Sequence, residues 1–106
     1  MSACLCYITA GSREEALAIG RALVEERLAA CANILDGMTS IYHWRGAIEE
    51  ACEVVLIVKT RAALVGPLIE RVRALHSYEC PCVVALPITD GNPAYLAWIE
   101  AETRHP

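Results

Sequence analysis

The spacing of hydrophobic residues along this chain changes several times between a pattern typical of strands and one typical of helices. Each change predicts the start of a new element. A short apolar run predicts a first strand over Leu5–Thr9, and helical spacing follows Ser12, which is suited to cap the helix. A second helical pattern begins near Val65. The apolar run Cys82–Leu86 then predicts a strand buried on both faces, and the Asn92–Pro93 pair predicts a last short helix.

The stretch between Cys31 and Thr60 predicts two strands that are long for a chain of this size. Each arm has about 14 residues, or about 45 Å at about 3.3 Å per residue, whereas a domain of this size has a radius of gyration of about 13 Å. The arms meet at Arg45–Gly46, and Asp36–Gly37 predicts a bulge or kink in the first arm. Because an isolated two-stranded ribbon is marginally stable in water, we expect the chain to form an oligomer.

The predicted order of elements is β-α-β-β-α-β followed by a terminal helix, which is typical of an α+β, ferredoxin-like fold. In that plan two helices cover one face of an antiparallel sheet, and the other face has no cover within the chain. At 106 residues the chain is expected to form one domain, residues 1–106.

Composition narrows the classes of partner. Hydrophobic residues make up 56% of the chain, which favours burial between subunits, and no apolar run is long enough to cross a membrane. The net charge of −4 without a basic cluster argues against nucleic acid as the main partner. The N-terminus lacks the basic segment of a signal peptide, so we expect a cytoplasmic protein. The six cysteines are expected to be mostly buried small residues rather than a disulfide framework.

Several segments together resemble the CutA divalent-cation-tolerance proteins: Glu26–Ile34, Ser40–Gly46, Glu53, Val58–Thr60, His76–Pro81 and Tyr95–Ile99. The match covers nearly the whole chain. The resemblance implies a homotrimer of ferredoxin-like subunits, similar in fold and assembly to the PII signalling proteins. It also implies a role in tolerance to copper and other divalent metals, but it brings no established catalytic activity.

Two positions depart from the family pattern. Ser77 stands after His76, where the family usually has proline, and Cys82 stands after Pro81, where an acidic residue is common. A role that belongs to that acidic residue does not transfer to this chain, and a Cys80–Pro81–Cys82 segment takes its place.

His76, Cys80 and Cys82 are the first metal candidate. Residues two apart on a strand face the same side, and thiolate with imidazole suits Cu(I) or Zn(II), with softness favouring copper. The alternative is a histidine at a helix C-terminus followed by two packed thiols. Cys31 matches the family motif and either supplies a further ligand or packs where the first helix meets the second strand.

A second set of candidates is expected at or beside a subunit interface, as a cleft for a small anion or metabolite: Tyr42, Trp44, Glu53, Lys59, His76 and Tyr78. Glu53 and Lys59 share strand parity, so both charges are expected on one sheet face, where burial requires partners or a ligand. The alternative is an interfacial ion pair surrounded by aromatic packing.

No catalytic motif occurs in the chain: G-x-S-x-G, H-E-x-x-H, the P-loop and G-x-G-x-x-G are all missing. We therefore expect a homotrimeric metal-ion response protein rather than an enzyme, one that binds copper or a similar divalent metal without catalysis and requires no cofactor. The alternative is a PII-like small-ligand sensor or a trimeric scaffold for a partner protein, in which metal binding is incidental.

Overall fold

The computed structural model describes residues 2–105. Its elements follow the predicted order, with one additional 3₁₀ turn: β1 (Ala3–Ala10), α1 (Arg13–Glu25), β2 (Cys31–Trp44), β3 (Ala47–Arg61), the 3₁₀ turn (Ala62–Leu64), α2 (Val65–Leu75), β4 (Val83–Pro87) and α3 (Pro93–Glu102). The four strands form one sheet in the order β2-β3-β1-β4, and every pairing is antiparallel. The predicted α+β, ferredoxin-like arrangement is confirmed.

Alternate residues of the strands supply the core between the sheet and the helices α1 and α2. Most fully buried members come from β1, β3, α1 and α2, and include Ile8, Leu56, Val58, Ile19, Leu23, Leu68 and Val72. In β3 the even positions Leu56 and Val58 therefore face the helices, so the odd positions Glu53, Val55 and Lys59 lie on the opposite face. We call that opposite side of the sheet the open face.

The helix α3 covers one end of the open face. Its residue Ile99 is fully buried against Ala3 and Ala30, and Arg61 Nε donates to the Thr103 hydroxyl at 2.9 Å. The helix begins as predicted, because the Asn92 side chain accepts a hydrogen bond from the Ala94 amide at 3.1 Å. The rest of the open face remains without cover from α3.

The β2–β3 hairpin bends instead of running straight. Its strands have 14 and 15 residues, and the predicted bulge lies between Leu35 and Met38, where Gly37 has a φ of +81°. The turn residues Arg45 and Gly46 both have positive φ, as a two-residue hairpin requires. At the tip, Arg45 reaches Glu79 in the loop between α2 and β4 at 2.8 Å. This ion pair connects the tip of the hairpin to the α2–β4 loop.

Two sequence predictions of element limits are wrong. The fourth strand begins at Val83 rather than Cys82, and it is not buried: Val84 is 50% exposed and Leu86 is 49% exposed. The reason is that β4 lies at the sheet edge, with the open face uncovered on one side. The spacing of apolar residues predicts that the first helix ends near residues 28–30, but it ends at Glu25, because Arg27 adopts a left-handed conformation with a φ of 57°.

The cysteines also differ from expectation. All six are free thiols, so no disulfide framework exists, but only Cys4 and Cys6 are buried. Cys31 is partly buried, whereas Cys52, Cys80 and Cys82 are exposed. Half of the thiols are thus available for chemistry at the surface. Within residues 2–105, no helix has the length and apolar character needed to cross a membrane.

Candidate functional site

The bent hairpin, β1 and the loop between α2 and β4 enclose a cleft of about 590 Å³. This volume lies within the range of small-molecule sites in proteins. Its lining comes from segments distant in sequence: Tyr7 and Thr9 from β1, Ser40, Ile41, Tyr42, Trp44 and Glu53 from the hairpin, and Tyr78, Glu79, Cys80 and Cys82 from the loop.

Glu53 provides a buried charge in this cleft. It is only 9% exposed, and its Oε2 accepts a hydrogen bond from the Tyr78 hydroxyl at 2.8 Å. The register pairs Glu53 with Met38, the first paired residue of β2 after the bulge. The bulge in β2 therefore lies beside Glu53 in the sheet.

His76 links Tyr78 to β1, with one ring nitrogen bonded to each. Nδ1 accepts a hydrogen bond from the Tyr78 amide at 3.0 Å, so Nδ1 carries no proton, and Nε2 must donate to the Thr9 carbonyl at 2.7 Å. Glu15 Oε1 lies 3.9 Å from Nδ1, but a charged pair would require Nδ1 to release the Tyr78 amide. The geometry favours the neutral Nε2–H tautomer, and neither nitrogen has a lone pair left for a metal.

The charge of Glu53 affects its neighbours. Burial, together with the hydrogen bond to Glu53 and its charge, raises the pKa of Tyr78 to about 12. Burial and the same carboxylate raise the pKa of Cys82. Both groups are therefore neutral near pH 7, and Glu53 is the acidic centre of the cleft.

Aromatic side chains surround that centre. Tyr42 and Trp44 share one face of β2, two residues apart, and both line the cleft with Tyr78. Tyr7 completes the set from β1, and its hydroxyl donates to Met38 Sδ at 3.2 Å. Sequence reasoning did not single out Tyr7, because a tyrosine inside the first strand has the ordinary appearance of a strand residue.

Lys59 does not join this group. Its Nζ donates to Asn33 Oδ1 at 2.8 Å and lies 5.8 Å from the centre of the Tyr95 ring. Lys59 lies six positions after Glu53 along β3, a distance of about 20 Å. The two charges share the open face, as predicted from parity, but they lie at opposite ends of it and do not form an ion pair.

The four metal candidates do not lie together, and His76 is not among the residues that line the cleft. Cys80 and Cys82 line the cleft, while Cys31 lies beside Lys59, with its Sγ 3.9 Å from Nζ. Both Cys80 and Cys82 precede β4, so the strand-parity argument for a shared direction does not apply to them. Across residues 2–105, no three or more His, Cys, Asp and Glu side chains are arranged to hold a metal ion. The expected convergence of His76, Cys80 and Cys82 on one ion is therefore not met within the single chain.

Two further acidic residues, Glu79 and Glu15, lie in or near the cleft. Glu79 lines the cleft and pairs with Arg45 at 2.8 Å, and Glu15 accepts a hydrogen bond from the Ser77 amide at 2.9 Å. The Ser12 cap was predicted correctly, since its hydroxyl accepts from the Glu15 amide at 3.1 Å. In a capping box the Glu15 carboxylate would also accept from the Ser12 amide, but here it accepts from the Gly11 and Ser77 amides. It thereby ties the loop that carries Tyr78 to the start of α1.

Comparisons with known proteins agree on one family. The chain matches the family model of the CutA1 divalent ion tolerance protein over residues 4–102. It is 53% identical over 96 residues to the divalent-cation tolerance protein CutA of Thermus thermophilus, covering 91% of this chain and 93% of that protein. It is 47% identical over 97 residues to the mouse protein CutA, which covers 92% of this chain, although the chain spans only 55% of the mouse protein.

Solved structures give the same result. CutA1 from Oryza sativa superposes with a TM-score of 0.97 at 39% identity, covering 100% of this chain and 97% of that one. A protein of Archaeoglobus fulgidus, described as a periplasmic divalent cation tolerance protein, superposes with a TM-score of 0.92 at 43% identity, covering 94% of this chain and 97% of that one. Sequence and fold thus agree over almost the whole length, and the chain belongs to the CutA1 divalent ion tolerance protein family.

Proposed function

We propose that this protein acts in divalent-cation tolerance by binding a soft metal ion, such as copper, in the cleft and without turnover. The observation that carries the proposal is that two exposed thiols, Cys80 and Cys82, line the same cleft as the buried carboxylate of Glu53. Thiolates favour Cu(I) and Zn(II) over hard cations. The names of the relatives describe tolerance proteins rather than enzymes, which agrees with binding alone.

The chemistry of the thiols has a consequence for pH. A thiol binds metal as thiolate, and the pKa of Cys82 is raised by burial and by Glu53. The metal must therefore displace a proton from Cys82, and its affinity should fall as the pH falls.

The proposed working form is a homotrimer. The hairpin exposes two large aliphatic side chains, Ile41 and Ile48, each 71% exposed, and the edge strand exposes Val84 and Leu86. Apolar surface of this kind is typical of interfaces between subunits. A second subunit could also supply the ligands that the thiols of one chain lack.

The test is an anaerobic titration of the reduced protein with Cu(I), followed by native mass spectrometry. We expect trimers that take up a fixed number of copper ions and lose them when Cys80→Ser and Cys82→Ser are combined. Cys52→Ser is the matched control, because Cys52 is also exposed but does not line the cleft. A graded series of weak adducts, equal in all variants, would contradict direct metal binding.

A second candidate function is small-ligand sensing, with metal binding incidental. The volume of the cleft and its four aromatic side chains favour it. The ligand expected from the sequence was a small anion or metabolite, and the anion loses support because Lys59 does not line the cleft. A trimeric scaffold for a partner protein is the remaining alternative, and co-purification of a stoichiometric partner would favour it.

The proposed location is the cytoplasm. The Archaeoglobus fulgidus relative is described as periplasmic, so the compartment needs its own test. Fractionation of cells that express the full-length protein, with marker enzymes for each compartment, provides it.

A further inference from the structure

The Glu53 carboxylate is buried without a cation. It is 9% exposed and receives its hydrogen bond from the neutral Tyr78 hydroxyl, and among residues 2–105 none of the ion pairs includes it. The other acid of the lining, Glu79, is already paired with Arg45. Among the described residues of the single chain, the lining contains no lysine or arginine. Burying a carboxylate without a counter-charge is costly, so the cleft has one negative charge to offer to a ligand.

The walls around this charge are aromatic. Tyr7, Tyr42, Trp44 and Tyr78 all line the cleft, and the faces of such rings attract cations. Trp44 already shows this property within the chain, since the Arg45 guanidinium carbon lies 5.3 Å from the centre of its ring. Aromatic faces around a carboxylate are the combination that recognises methylated ammonium groups.

We propose that the cleft binds a small organic ammonium cation, with its methyl groups against the tyrosine and tryptophan rings and Glu53 as the counter-ion. This inference rests on the second candidate function, small-ligand sensing, and names the class of the ligand. An organic cation needs no set of directional ligands. It therefore suits a cleft in which no three metal-ligating side chains of the described chain come together.

Within the single chain, the charge of the cleft disfavours the opposite class of ligand. An anion would meet the uncompensated charge of Glu53, and Lys59, about 20 Å away along the strand, offers nothing to offset it. A neutral apolar ligand would fit the aromatic walls but would leave the carboxylate buried and still without a partner. The positive charge of the ligand is thus the property that the test must isolate.

The experiment is isothermal titration calorimetry of the intact protein with choline and with 3,3-dimethylbutan-1-ol, which has the same shape without the charge. We expect choline to bind at least about tenfold more tightly, and Glu53→Gln to remove that difference. Glu50→Gln is the matched control: it removes the same charge from the same strand, but at a position of opposite parity to Glu53. It should bind choline as the unchanged protein does.

A second measurement does not depend on a variant. Proton NMR of choline with the unchanged protein should show an upfield shift of the trimethyl signal, because the methyl groups lie over aromatic rings. Equal binding of the two compounds, choline binding retained in Glu53→Gln, or a trimethyl signal that does not move would each overturn the inference. Copper uptake by Cys80 and Cys82 is measured separately and in the absence of choline. A negative result for one proposal therefore does not affect the interpretation of the other.

Discussion

The Tyr78 hydroxyl donates a 2.8 Å hydrogen bond to the buried carboxylate of Glu53 and so joins the α2–β4 loop to the hairpin. His76 prepares this contact, because its two ring nitrogens hold the Tyr78 amide and the Thr9 carbonyl. The hairpin and the α2–β4 loop therefore meet at the Glu53–Tyr78 contact, with His76 behind Tyr78. None of these contacts is local in sequence except that between His76 and Tyr78.

Removing the Tyr78 hydroxyl should destabilise the fold. Tyr78→Phe leaves the Glu53 carboxylate without its donor, and an unsatisfied buried acceptor costs about 1–3 kcal/mol. Urea unfolding at constant protein concentration measures the free energy of unfolding. Tyr95→Phe serves as the control, since Tyr95 is an exposed residue of α3. Equal stability of the two variants would mean that the bond contributes nothing.

The tautomer of His76 is open to direct measurement. Nδ1 accepts the Tyr78 amide and Nε2 donates to Thr9, so a long-range ¹H–¹⁵N spectrum at pH 8 should show Nδ1 as the unprotonated nitrogen. His43, which is exposed on the hairpin, should instead show the exchange between tautomers of a free side chain. A protonated Nδ1 on His76 would contradict the orientation proposed for Tyr78.

Glu15 should contribute to the pH dependence of stability. Partial burial opposes ionisation, but hydrogen bonds from Ser77 and Gly11 outweigh it, and the pKa of Glu15 is lowered from 4.5. Because the folded-state pKa lies below the unfolded value, this stabilisation is present above pH 4.5 and is lost as the pH falls through the folded pKa.

Stability measured from pH 6 down to pH 3 tests this assignment. The unchanged protein should lose more of its free energy of unfolding than Glu15→Gln does. Glu14→Gln removes an exposed neighbouring charge. Its free energy of unfolding should change with pH as that of the unchanged protein does. The same slope in all three proteins would show that Glu15 is not responsible.

Thiol labelling should depend on Glu53. The carboxylate contributes to the raised pKa of Cys82, so at pH 8 Cys82 holds less thiolate and reacts slowly with iodoacetamide. Glu53→Gln should speed the labelling of Cys82, whereas Glu50→Gln should not. Peptide mass spectrometry at timed intervals gives the rate for each cysteine. Buried Cys6, with a pKa raised to about 11, should remain unlabelled while the protein is folded.

The exposed hairpin should be needed for self-association. Ile48→Lys places a charge on a side chain that is 71% exposed in the single chain, and it should dissociate the oligomer without unfolding the subunit. Native mass spectrometry measures the assembly, and circular dichroism measures the fold. Leu17→Lys, an exposed position on α1, is the control and should leave the oligomer intact. An intact oligomer in Ile48→Lys would exclude this part of the hairpin from the interface.

The features that the sequence determined are those that depend on neighbouring residues. Ser12 and Asn92 cap their helices through amides two or three positions away. Asp36–Gly37 and Arg45–Gly46 place the bulge and the turn where the backbone needs positive φ. Strand parity placed Glu53 and Lys59 on one face, and the order of elements gave the ferredoxin-like fold.

The site depends on contacts that only the folded chain creates. The charge at Lys59 is held by Asn33, while Glu53 is reached by Tyr78 from a loop 25 residues away. Periodicity predicted a buried β4, but the position of β4 at the sheet edge leaves it exposed. Short-range hydrogen bonding and side-chain period can be read from adjacent residues. The partner and the burial of a side chain depend on which distant segments pack against it, and that was decided by the tertiary structure.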